Sequence, residues 1–71
     1  MVNVNKLKGK MVELEYNVER LSNEMNVDRA KLYRRFQNPE EFTIKEANSI
    51  VTILKLTKDE IIAIFFSQNV A

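Results

Sequence analysis

The chain has no cysteine and no histidine, and only one glycine and one proline among its 71 residues. Without cysteine, neither disulfides nor thiolate metal sites can supplement a core. Without histidine, the commonest general base and the commonest metal ligand are missing together. One glycine and one proline leave little for β-hairpins, whose tight turns rely on such residues. The longest apolar run, "IIAIFF" at 61–66, is far too short to span a bilayer. The opening "MVNVNKLKGK" lacks the apolar stretch of a signal peptide. These shortages predict an all-α protein in the cytoplasm that needs no cofactor or metal.

What is present fits one small domain covering residues 1–71. Apolar residues make up 45% of the chain, enough for a real core and against disorder. A chain this short buries too little for a deep enclosed pocket, which argues against an enzyme. The carboxylates Glu13, Glu15, Glu19, Glu24, Glu40 and Glu41 have no histidine to work with and read as surface charge. The net charge is +1, but it is unevenly spread. Residues 1–12 sum to +3 through Lys6, Lys8 and Lys10, and residues 28–37 sum to +3 through Arg29, Lys31, Arg34 and Arg35 against Asp28. The stretches after each are net acidic.

Apolar spacing and capping residues divide the chain into five helices. Leu7, Met11 and Leu14 predict the first over about 5–16. Asn17 caps the second, with Val18, Leu21 and Met25 inward. Asn26 takes a left-handed turn at low cost, Val27 plugs it, and Asp28 caps a third helix over about 29–37 with Leu32 and Phe36 inward. Pro39 stops that helix, and "NPEEF" at 38–42 forms a loop with Phe42 tucked in. Thr43 with Glu46, and Thr57 with Glu60, are capping boxes for a fourth and a fifth helix. Ile44, Ala47, Ile50, Val51 and Leu54 form the fourth helix's apolar face. The fifth runs to about Phe66, and the last few residues are expected to fray.

Within this layout, residues 17–37 meet the requirements of a helix-turn-helix. A short helix carries the small Ser22 where a second helix can cross closely, and an αL-tolerant residue makes the turn. "NVERLSNEMNVDRAKLYRRF" resembles the helix-turn-helix of phage Cro-type and repressor-type regulators, at Leu21, Ser22, Met25, Val27, Asp28 and Leu32. The surrounding five helices are similar to small lactic-phage members of that family, including modulators of repression. Asn26 replaces the usual glycine, Arg35 fills a slot that is commonly apolar, and Val18 stands where many members place a DNA-contacting Gln.

The resemblance implies a compact lambda-repressor-like DNA-binding domain acting in a bacterial host, with the second motif helix in the major groove. Its base-reading residues would be Arg29, Ala30, Tyr33, Arg34 and Gln37. Arginine suits this chemistry because it can donate two hydrogen bonds to one guanine, worth about 1–3 kcal/mol of discrimination. Lys31 and Arg35, nearer the flanks, and the backbone at Asn17 and Val18 would meet phosphates. In "EIIAIFF" at 60–66 there is more apolar surface than so small a chain easily buries. Ile61, Ile62, Phe65 and Phe66 are therefore candidates for a homodimer or partner surface. Two functions follow: a regulator that binds double-stranded operator DNA in a lysis–lysogeny switch, or an anti-repressor that grips a phage repressor's DNA-binding domain.

Overall fold

Every α-helix of the described residues opens on a side-chain oxygen that accepts a backbone N–H of its own first turn. A computed structural model describes residues 2–66. Helix α1, Val4–Glu13, is capped by Asn3; α2, Val18–Met25, by Asn17; and α3, Arg29–Gln37, by Asp28. A 3-10 turn, Pro39–Glu41, follows. Helices α4, Ile44–Leu54, and α5, Lys58–Phe65, start on Thr43 and Thr57, each with a complete capping box. Each cap satisfies an amide that the helix itself cannot.

The C-termini are less orthodox. The residues that turn the chain after α1, α2 and α4 are Glu15, Asn26 and Lys55, with φ of 61°, 59° and 53°. At each turn the next amide folds back onto a carbonyl in the helix's last turn: Tyr16 onto Met11, Val27 onto Ser22, Leu56 onto Val51. Such closures usually employ glycine. Yet Gly9, the one glycine, lies inside α1, where a Cβ would meet nothing within 4 Å.

Helix α2 packs against both α3 and α4, and α1 packs against α5. The Asn3 N–H donates to the Ile64 carbonyl at 2.6 Å, joining the two ends of the fold. The core is Leu7, Met11, Leu21, Leu32, Phe36, Ile50, Leu54, Leu56, Ile64 and Phe65. Phe42 leans inward, its ring 5.7 Å from that of Phe36. The radius of gyration, 11.3 Å, is close to the ~11 Å of a compact chain this long. The architecture is all-α and compact. Among the described residues no helix is long and apolar enough to cross a membrane.

Three expectations need correction, and one falls outside the view. Helix α1 ends at Glu13, not near Tyr16, because Glu15 enters the left-handed region and closes the helix. Ile44 does not join the inward face of α4: it is 82% exposed. The buried arc contains Glu46, Ile50 and Leu54, and Ile44 lies about 120° around the helix from Ile50. Phe65 is not surface for a partner but part of the core, while Ile62 and Phe66 are exposed and Ile61 is half-buried. The fraying expected of the last few residues lies outside the described residues.

Candidate nucleic-acid interface

The α2–α3 unit is held from within. Leu21 is fully buried, and Ser22 beside it is 1% exposed. The Ser22 hydroxyl donates to the Glu19 carbonyl at 2.8 Å, so the small residue fills its place without an orphaned polar group. Asn26 turns the chain, and the Asp28 carboxylate accepts the Ala30 N–H at 3.1 Å to start α3. Leu32 and Phe36, four apart, fasten α3 to the core.

With that stripe fixed inward, helical periodicity turns the other side of α3 to solvent. Arg29, Ala30, Tyr33, Arg34 and Gln37 are all exposed, Tyr33 by half its surface. The five residues proposed from sequence to read bases therefore share one accessible face. Their side chains are not equally free. An Arg29 Nη1 lies 3.4 Å from a Glu19 carboxylate oxygen across the α2–α3 turn. Arg34 has no carboxylate within 4.0 Å among the described residues, and its carbonyl accepts the Asn38 N–H at the end of α3.

The N-terminus of α2 is braced by a cluster that sequence reasoning did not find. The Asn17 side-chain oxygen accepts the Arg20 N–H at 2.7 Å. The Arg20 guanidinium lies 4.0 Å from the Tyr16 ring centroid and donates to the Glu15 carbonyl and to Glu24. The Tyr16 hydroxyl donates to Glu24 at 2.6 Å, which raises the tyrosine pKa and lowers that of Glu24. The amides of Val18 and Glu19, in the first turn, have no acceptor within their helix by geometry. They remain able to meet an anion, but the Val18 side chain is half-buried against the core and Glu19 is exposed nearby.

The flank of α3 is where sequence and structure part. Lys31 is exposed, its ammonium 4.0 Å from Glu46. Arg35, expected to reach phosphate, is turned the other way. Its Nε donates to Glu46 at 3.0 Å and its Nη1 to Glu41 at 3.4 Å, with only 16% of the side chain exposed. The same Glu46 oxygen accepts the Thr43 N–H at 2.9 Å. One carboxylate thus closes the cap of α4 and ties α3 to it. Glu46 was legible as a capping residue. Its pairing with Arg35 carried no signal beyond the oddity of an arginine in a commonly apolar slot.

Burial pushes the Glu46 pKa up, but the Thr43 N–H and the Arg35 guanidinium together outweigh it, with Lys31 adding, and the net shift is downward from 4.5. A carboxyl held low in the folded state contributes stability above its unfolded pKa and loses it as pH falls through the folded value. Glu46→Gln should therefore be about 1–2 kcal/mol less stable than the parent near neutrality. The gap should close as pH drops below 4.5. Thermal melts of both proteins at neutral and acid pH check this, and a gap independent of pH would refute the pairing.

The exposed face of α3 thus presents two guanidinium groups, a phenol and a carboxamide, with the Lys31 ammonium at its edge. No family model, curated protein or solved structure matches the chain.

Proposed function

We propose that this chain is a phage-type transcriptional regulator that binds operator DNA through a helix-turn-helix formed by α2 and α3. One observation carries the reading. Arg29, Ala30, Tyr33, Arg34 and Gln37 project together from α3, while Leu32 and Phe36 anchor it against a buried Leu21 and Ser22. In this reading α3 enters the major groove, Arg29 and Arg34 contact guanine edges, and Lys31 with the first amides of α2 contacts phosphates. Arg35 is assigned to the fold, since Glu46 and Glu41 hold its guanidinium. A lysis–lysogeny switch is the setting that the resemblance of residues 17–36 suggests.

The test is binding to operator-bearing phage DNA and to random duplex over a series of salt concentrations. Binding should weaken as salt rises, with a log–log slope of about −0.9 per phosphate contact. The operator should also be preferred. Absence of binding at low salt, or equal affinity for random DNA, rejects the reading.

A second reading has its own support. Val18 offers no polar side chain at the start of α2, and the exposed Glu19 stands beside Arg29. Mixed charge of that kind suits a protein surface. In this version the chain is an anti-repressor whose α2–α3 face grips a phage repressor's DNA-binding domain. Co-purification with that repressor, lost on Arg34→Glu, supports it; no complex at micromolar concentrations removes it.

A further inference from the structure

The three arginines of α3 are disposed in three ways. Arg35 is held by Glu46 and Glu41, and Arg34 has no carboxylate partner among the described residues. Arg29, the first residue of the helix, stands between these cases. Its Nη1 meets a Glu19 carboxylate oxygen at 3.4 Å, and both side chains are more than half exposed. Each is the other's one ion-pair partner among the described residues.

The fold does not account for this contact. Asn17 makes the cap of α2, its side-chain oxygen accepting the Arg20 N–H. A first-turn glutamate favours its helix through the backbone dipole, and that requires no contact with α3. An ion pair so exposed adds little to stability. What it does change is where the Arg29 guanidinium is held.

We infer that Glu19 is a specificity-determining residue for DNA binding, holding the Arg29 guanidinium toward a base edge and off the phosphates. This role presupposes that α3 meets DNA as proposed above. A guanidinium carries five N–H donors on a rigid planar fork. Glu19 occupies one corner of that fork and leaves another to donate to guanine. Released from Glu19, an arginine on a flexible stem would turn to the nearest phosphate, a contact that carries no sequence information. The negative charge of Glu19 also repels phosphate, but it does so on any duplex. The restraint on Arg29 is what separates operator from random DNA.

The experiment is binding to operator-bearing phage DNA and to random duplex over a salt series. The proteins are the parent, Glu19→Gln, Arg29→Ala, the double variant and Asp59→Asn. Glu19 is exposed, so folding is not at stake in its replacement. Asp59 is exposed on α5, and its replacement removes the same charge outside the α2–α3 unit. Glu19→Gln should bind random DNA about two- to fivefold more tightly than the parent. Its salt slope there should steepen by about one unit, and its preference for the operator should fall at least about twofold. With Arg29→Ala already in place, Glu19→Gln should leave the preference unchanged. A preference unaltered by Glu19→Gln alone overturns the inference while DNA binding stands. So does the same loss of preference in the Arg29→Ala background or in Asp59→Asn. A parent that binds no duplex overturns the DNA reading itself, and this role with it.

Discussion

Leu21→Ala is expected to cost about 3–4 kcal/mol, a large loss for a single truncation in the α2–α3 unit. Leu21 has no exposed surface, and its helix packs against both α3 and α4. Its removal leaves a void where α2 meets α3 and α4. A domain of 71 residues has roughly 4–11 kcal/mol of stability in total. Such a loss lowers the melting temperature by roughly 12–32 °C. Urea unfolding followed by circular dichroism gives the number directly. A loss below about 1 kcal/mol would mean that Leu21 is not the joint of these helices. If α3 binds DNA as proposed, binding by the variant should survive in the cold and vanish with the fold on warming, which separates damage to the scaffold from damage to the face.

Arg34→Ala probes the face itself. The side chain is exposed and has no carboxylate partner among the described residues, so its loss should change stability by no more than about 0.5 kcal/mol. If it donates to a guanine, operator affinity should fall by roughly 5- to 150-fold and discrimination at one base pair should relax. If it touches only phosphate, all duplexes should weaken alike and the salt slope should shrink by about one unit. Quantitative binding to the operator and to its single-base variants distinguishes the two. Unchanged affinity would remove Arg34 from the interface. The contrast with its neighbour is useful: Arg35 is spent on Glu46 and Glu41, so its truncation reports on the fold.

The parts of the fold that sequence made legible are those decided within a few residues. Asn17, Asp28, Thr43 and Thr57 each cap a helix by a bond to an amide two or three positions on. Asn26 was readable as a left-handed turn because asparagine tolerates that region. The outward face of α3 followed from Leu32 and Phe36 alone, since fixing one stripe of a helix fixes the opposite one.

What escaped was decided by tertiary competition. Nothing about Glu15 or Lys55 favours positive φ, and each takes it because the helices on either side are anchored in the core. Ile44 fits an apolar stripe by spacing, yet the burial of Glu46 turns α4 so that Ile44 faces out. Arg35 and Glu46 lie eleven residues apart, too far for any local pattern to pair them. Arg20 and Glu24 are an ordinary i,i+4 pair within α2, but the reach of Tyr16 to Glu24 across the α1–α2 link carried no local signal.

The placement of the lone glycine has a consequence for how long the molecule survives in a cell. Gly9 sits in mid-helix with open space around it, while Glu15 and Lys55 hold backbone positions that glycine would occupy without strain. Each such misallocation forgoes on the order of 1 kcal/mol. The two turns together, at about 2 kcal/mol, raise the unfolded fraction about thirtyfold above that of a chain with glycine at both. Proteases act on that fraction, so abundance tracks it. Relative to a chain with glycine at those two turns, this one is expected to present more of its unfolded form to proteases.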